Sequence, residues 1–447
     1  MRFTSLALKP EELTFGYAKY PLRYGKGLEV GAGRVMPEIK YFPKVGKNLK
    51  EEYRNITERV LMRALDLGVE ALQLETEFTH VETGQPSLAG EIVSMQKSIV
   101  EQYADEYGIR LGLRVTVADI RDFRKPRHNE EAFSKMMEAF EEAATNGADV
   151  LSIESEGGKE LFNYCILRQD IEGIVASLGL LAALDMEKLW KEIVRIATSK
   201  GIIPGGDTAC GFANTAMVLA TGLYNRTIPH TLAALVRCMS ASRSLIAYEM
   251  GARGPGKDCA YENVIIKAVT GYPMSMEGKS SAVAHSSLVG NIAAAACDLW
   301  SNEQVENVKL FGGYGPDVFL EILHYDTKLM NKAIELGQRD CLARLMVESD
   351  KYLDPQAYVL SPDVAWQVAD AIVGESDVLA RTVEAGLRAA KLIEGEERLR
   401  LSKGEQRFLG IALRRLEKLR EDPRRVIEEK MEKYEKALSE FRLKDYF

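Results

Sequence analysis

Histidine is scarce in this chain. Its 447 residues hold five, His80, His128, His230, His285 and His324, and none shows the short spacing of a ligand pair. That leaves no His-based metal motif and no legible Ser–His–Asp arrangement. Cysteine is nearly as rare: six, irregularly spread, are too few for a disulfide framework and suit a reducing compartment. Long apolar runs are missing as well. The most apolar helical stretch, Ile292 to Trp300, falls far short of the roughly 20 residues that span a bilayer. The first residues, Met1-Arg2-Phe3-Thr4-Ser5-Leu6, hold no signal-peptide core. Nor is positive charge in excess. A formal net charge of −8 argues against nucleic acid or an anionic membrane as the main partner. A soluble cytoplasmic protein is expected.

What the chain does have is a 46% hydrophobic composition, enough for a substantial core, and a repeated strand–helix grammar. Strand-like runs fall at Gly27–Gly33, Val69–Glu75, Arg110–Val117, Asp149–Glu154, Gly201–Asp207, Ser244–Met250, Tyr272–Glu277 and Lys309–Gly313. Several are almost continuously apolar, as parallel strands covered on both faces should be. Helical patterns separate them. Glu51–Leu67 carries Ile56, Val60, Leu61, Ala64 and Leu65 on one face, with Gly68 placed to end it, and Glu130–Asn146 stops likewise before Gly147. Eight such units predict an α/β fold, a (β/α)8 TIM barrel with an N-terminal extension over residues 1–315. From Pro316 the strand signals vanish. Helices are expected at Val318–Leu336, Arg339–Leu353, Pro362–Val373, Asp377–Ile393, Lys403–Leu419 and Pro423–Leu438, a helical extension over 316–447 packed on the barrel.

Three glycine-rich loops follow the fourth, fifth and sixth of these strands. Gly205-Gly206-Asp207-Thr208-Ala209-Cys210 and Gly254-Pro255-Gly256-Lys257-Asp258-Cys259 each lead into the pattern cysteine–any–aromatic–any–asparagine, and Gly157-Gly158-Lys159-Glu160 carries a carboxylate. In a (β/α)8 barrel those loops sit side by side on the C-terminal face, where active sites lie. Two thiolates and a carboxylate make a zinc shell with an open fourth position, the mark of a catalytic site. Taken singly, a cysteine is more often a small buried hydrophobe, and that is the reading for Cys165, Cys238, Cys297 and Cys341. The run Gly251 to Asp258 approaches a phosphate-binding loop, but Asp258 stands where a magnesium-binding hydroxyl is needed. Acidic residues also gather at strand ends: Glu75, Glu77, Asp119, Glu154, Asp207, Glu249 and Glu277. One could donate a proton to a leaving oxygen; the plainer role is capping helices or pairing with Arg114, Arg121, Lys257 or Lys279.

The segments Leu74-Glu75-Thr76-Glu77, Ile153-Glu154-Ser155-Glu156-Gly157-Gly158-Lys159-Glu160, Gly206-Asp207-Thr208-Ala209-Cys210 and Gly254-Pro255-Gly256-Lys257-Asp258-Cys259 are long and specific. At them the chain resembles the zinc-containing subunit of methanol–corrinoid methyltransferases. The likeness runs from Phe15-Gly16-Tyr17 to Asp354-Pro355-Gln356-Ala357-Tyr358 and weakens toward the C-terminus. The resemblance implies a (β/α)8 barrel with added helices and one zinc on Glu160, Cys210 and Cys259. It implies methyl transfer from a small donor to the Co(I) corrinoid of a separate protein docked over the barrel mouth, with Glu77 and Asp207 as candidate proton donors to the departing oxygen. It also implies a homodimer or a hetero-oligomer with that corrinoid subunit. Consistent with a separate carrier, no histidine here has an aspartate two residues before it, so the Asp-x-His-x-x-Gly corrinoid-ligand motif is absent. Phe78, Val115 and the stretch after Phe311-Gly312-Gly313 depart from the methanol-using members. The expected donor is therefore methanol or another methoxy compound, and a non-catalytic barrel that docks a corrinoid protein is the alternative.

Overall fold

Glycine ends two of the expected helices as anticipated. The helix Leu49–Asp66 closes with Gly68 at φ +69° and the bond Val69 N–H to Ala64 O (2.9 Å). The helix Glu130–Thr145 closes with Gly147 at φ +115° and Ala148 N–H to Ala143 O (3.0 Å). Both are Schellman turns, which satisfy carbonyls the helix leaves open. The computed structural model describes residues 2–8, 11–24, 36–41, 43, 46, 48–122, 129–221, 227–258, 262–276, 290–293, 303–307 and 316–446.

The strands are β1 (Leu13–Phe15), β2 (Leu22–Tyr24), β3 (Met36–Tyr41), β4 (Ala71–Glu77), β5 (Arg110–Val117), β6 (Val150–Ile153), β7 (Ile203–Asp207), β8 (Gly256–Asp258), β9 (Met274–Met276) and β10 (Glu303–Asn307). Six form a parallel sheet in the order β10-β3-β4-β5-β6-β7, and β8 and β9 pair in parallel apart from it. The stretch leading into β8 lies against β7, with Arg253 N–H to Pro204 O and Gly254 N–H to Gly205 O, both 2.8 Å. β9 adjoins β10.

Alternation sorts the side chains of each strand. On β5, Leu111, Leu113, Val115 and Val117 face the helices. Arg114 points the other way and reaches Pro255 O (2.8 Å) and Ser275 Oγ (2.9 Å) on the far β8–β9 side. On β4, Thr76 meets Gln96 of the helix Pro86–Tyr107, whereas Glu75 accepts from Thr116 Oγ1 (2.6 Å) across the inner face. The inner face is thus polar. Its lower end is sealed by the antiparallel β1–β2 hairpin, whose Leu13, Phe15 and Leu22 pack on Val150 beside Ala71 and Ile203, the first residues of β6, β4 and β7. The hairpin packs closely on Gly112, where a Cβ would stand 2.6 Å from Leu22 Cδ1 and push the Leu22 and Phe15 side chains aside. Burying each such apolar side chain contributes about 1.5–3 kcal/mol. The hairpin thus covers the N-terminal ends of β4, β6 and β7, which leaves their C-terminal ends to carry a site.

One expectation needs correction. Ser244–Met250 is not a strand but the end of the helix His230–Met250, in which every residue from Thr231 to Glu249 is buried. A helix buried on all sides has no polar face, so its sequence loses the helical period and passes for an apolar strand. The sixth strand of the series is β8, three residues long. Gly27–Gly33 and Lys309–Gly313 lie outside the described residues, and the strands found near them have interrupted apolar patterns, β3 by Pro37, Glu38 and Lys40 and β10 by Glu303 and Glu306. From Pro316 all described elements are helical, the expected ones each within a few residues of their bounds, with two short helices added, Pro355–Leu360 and the 3-10 turn Leu443–Tyr446.

Candidate functional site

The loop after β6 is held at almost every residue. Ser155 donates from its N–H (3.2 Å) and its hydroxyl (2.6 Å) to the two oxygens of Asp207, and Glu156 N–H donates to Asp119 Oδ2 (3.1 Å). Gly157 lies so close to Asp185 that any Cβ would overlap its carboxylate. Gly158 adopts φ +87°, where L side chains are strained. Its N–H donates to the Tyr446 hydroxyl (3.0 Å), and its carbonyl accepts from Ser177 Oγ (2.7 Å), at the start of a π-helical turn, Ser177–Leu181. Glu160, half-buried, then sits in the first turn of the helix Lys159–Ile166, where the N-terminal end favours negative charge.

Beneath the loop Arg121 locks two carboxylates. It gives Asp119 bonds of 2.8 and 2.7 Å and Asp185 bonds of 2.7 and 2.9 Å, all buried. Burial works against charge on Asp119, but the guanidinium outweighs it and holds this carboxyl below its usual range. The same pairing raises Arg121 despite its own burial. Asp119 thus takes the plainer of its two expected roles, pairing with Arg121.

The neighbouring loop, after β7, begins at Asp207. Besides Ser155, this fully buried carboxylate takes Trp190 Nε1–H (3.1 Å) and pairs with Arg243 Nη2 (3.4 Å). Cys210 follows and opens a second π-helical turn, Cys210–Asn214; such turns recur at functional sites. This turn packs against the helix bearing Glu160. Phe212 and Phe162 meet edge-to-face at 5.2 Å, and a Cβ on Gly211 would stand 3.5 Å from the Lys159 side chain. The structure therefore brings the Glu160 and Cys210 elements side by side at the C-terminal ends of adjacent strands. β8 ends at Asp258, and the next residue, Cys259, lies outside the described residues.

The remaining acidic candidates scatter. Glu77 is half-buried at the end of β4, and Glu75 lies deeper on the inner face. Glu249 belongs to the helix His230–Met250, not to a strand end, and pairs with Arg381 (2.6 Å) and Arg2; this follows from the misread strand. Glu277 lies outside the described residues. Cys165 and Cys238 are buried as expected, but Cys341 is exposed on the helix Arg339–Asp350, and Cys297 lies outside the described residues.

The family profile of the methanol–cobalamin methyltransferase B subunit matches residues 1–447. The chain belongs to that family. A relative, the methanol–corrinoid protein co-methyltransferase of Methanosarcina barkeri, is 44% identical over 100% of this chain and 99% of its own length. A chain in the crystal structure of the methanol:cobalamin methyltransferase complex MtaBC from Methanosarcina barkeri matches with a TM-score of 0.88 and 44% identity, covering 100% of this chain and 99% of that one.

For this methyltransferase-family chain the fit to zinc can be tested on its donors. A carboxylate and a thiol on neighbouring strand ends, each on a turn fixed by buried bonds, are the donor types zinc accepts. Among the described residues no three His, Cys, Asp or Glu side chains gather as a metal shell; the third expected donor is Cys259. Within those bounds the residues fit. Two braces escaped the sequence reading. Arg243 binds Ser155 O (2.8 Å) and Ser155 Oγ (2.6 Å) and lies over the Phe212 ring, 5.0 Å from its centroid. It was hidden one residue before the misread strand. Glu262, fully buried, has its carboxyl pushed up by burial against the bonds it accepts. A signal existed: it fills the "any" position of the second cysteine pattern, where the first copy has Ala213.

Proposed function

We propose that the chain transfers a methyl group from methanol, or a related methoxy donor, to the Co(I) corrinoid of a separate corrinoid protein, using one zinc held by Glu160, Cys210 and Cys259. The observation that carries the reading is the juxtaposition of the braced Glu160 and Cys210 turns in a chain matched over its full length by the co-methyltransferase family. Zinc there would supply Lewis acidity toward the donor's oxygen, because hydroxide is a poor leaving group. In the transfer the carbon–oxygen bond breaks as a cobalt–carbon bond forms, and the departing oxygen needs one proton. Asp207 is fully engaged with Ser155, Trp190 and Arg243, so we assign it to holding the Glu160 loop and leave the proton-donor role to Glu77. The plugged N-terminal end leaves the C-terminal mouth for docking, where the carrier can set cobalt in line with the bond.

We further read the eight parallel strands, β3 to β10, as a closed (β/α)8 barrel. The bonds from Arg253 and Gly254 to β7, the adjacency of β9 and β10, and Arg114 spanning the interior support closure. Its eighth helix is Pro316–Glu335, which packs on β3 and on Leu49–Asp66 with the ion pair Arg59–Asp317 (2.8 Å). The extension therefore starts after that helix instead of at 316. As donor, methanol is favoured, because Phe78 and Val115 are buried among core side chains, Val115 on the helix-facing side of β5. They do not widen the mouth. The test is a panel of donors presented with a Co(I) corrinoid protein. Methanol is expected to give the highest kcat/KM. Transfer from larger methoxy compounds with none from methanol would reverse the donor assignment, and no transfer from any donor would favour the non-catalytic docking barrel.

A further inference from the structure

Glu262 stands at the N-cap of the helix Asn263–Thr270, yet its side chain makes no bond to that helix. N-cap side chains usually bond the open N–H groups of their own first turn. Here the carboxyl reaches across to the Cys210 loop instead. Its Oε1 accepts the Ala209 N–H at 2.7 Å, and Ala209 is the residue before Cys210. The same oxygen accepts the Ser244 hydroxyl at 2.7 Å, one residue along the helix His230–Met250 from Arg243. Glu262 is 0% exposed, and among the described residues its Oε2 has no hydrogen-bond partner. Burying a carboxyl this way is costly, and nothing local requires it. In sequence Glu262 follows Cys259 by three residues. One buried side chain thus ties the backbone beside Cys210 to the start of the helix Asn263–Thr270.

We propose that Glu262 is a positioning residue for Cys210. By gripping the Ala209 amide it holds the Cys210 turn against the N-terminal end of the helix Asn263–Thr270, and Ser244 keeps the gripping oxygen in place. The inference rests on the zinc reading above and goes one shell beyond it, since Glu262 supplies no ligand atom. Partners of this kind, one step removed from a metal, typically govern affinity by 10–100-fold.

The test compares full-length wild type with Glu262→Ala, Glu262→Gln and Cys210→Ala. Zinc affinity is read by competition with a chromophoric chelator, and thiolate geometry by the near-ultraviolet sulfur-to-metal absorption of the Co(II)-substituted protein. Glu262→Ala is expected to weaken zinc about 10–100-fold and to shift or split the Co(II)–thiolate bands. Glu262→Gln keeps an acceptor oxygen for Ala209 and should restore both. Should Glu262→Ala fail to fold, Glu262→Asp, one methylene too short to bridge, should show the same spectral change in milder form. Wild-type affinity and an unaltered Co(II) spectrum in the folded Ala or Asp variant would overturn the proposal. A wild type without stoichiometric zinc, or a Cys210→Ala variant that binds zinc normally, would instead overturn the zinc reading, so the two failures are separable.

Discussion

Asp207→Asn separates an anchoring role from a proton-transfer role at the position the sequence marked for chemistry. Asp207 and Arg243 are both fully buried. Removing one charge of a buried pair costs about 3–5 kcal/mol. Arg243 retains its two bonds to Ser155, which places the loss at the lower end. The amide offers one acceptor oxygen where the carboxylate offers two, so a donor among the Ser155 N–H, the Ser155 hydroxyl and Trp190 Nε1–H goes unmet at about 1 kcal/mol. The total is about 4 kcal/mol. An unfolding entropy of about 2.1 cal/mol/K per residue amounts to about 0.9 kcal/mol/K for a chain this long, so Tm should fall by roughly 4 °C. Scanning calorimetry on zinc-saturated protein measures that shift, and methyl transfer to a corrinoid protein measures activity alongside. An anchor predicts a lower Tm together with weaker zinc binding. A wild-type Tm with kcat strongly reduced would refute the anchoring argument and return Asp207 to the role of acid.

Other outcomes follow from the same loops. Gly157→Ala drives a Cβ into Asp185, which Arg121 holds rigidly; overpacking of this kind costs about 1–3 kcal/mol, and metal analysis should find zinc lost along with thermal stability. Tyr446→Phe removes the acceptor of the Gly158 N–H, so amide exchange at Gly158 should accelerate while global helicity by circular dichroism stays unchanged. Alkylation of native protein at pH 8 should label Cys341 and spare Cys165 and Cys238. Burial pushes the Cys238 thiol up to about 12, leaving about one part in ten thousand as the reactive thiolate. Cys210 should become labelled only after zinc is removed, as peptide mapping would show.

Legibility followed the physics of each signal. Strands β4, β5, β6 and β7 were readable because their buried runs are bounded by glycine-stopped helices whose Schellman turns leave a fixed trace, as at Gly68 and Gly147. The helix ending at Met250 was not, because burial on every side erases its period. The short strand β8 carries too few residues for any pattern, and the Cys259 that follows it lies outside the described residues. At the site, Glu160 and Cys210 were marked by their loops, and the structure sets those loops together. Arg243 and Tyr446 were invisible in sequence because they reach their loops from distant elements, 88 and 288 residues away, and Glu262, 53 residues from Ala209, showed only as a member of the second cysteine pattern. No local periodicity encodes such contacts.

The most direct measurement follows methyl-Co(III) formation, by absorbance, when methanol and a Co(I) corrinoid protein are mixed with this chain before zinc removal, after it and after zinc is restored. The account predicts transfer at the start, near-complete loss in the zinc-free protein, recovery on adding one equivalent, and no recovery in Cys210→Ala. Undiminished transfer by zinc-free protein, or full recovery in Cys210→Ala, would contradict it.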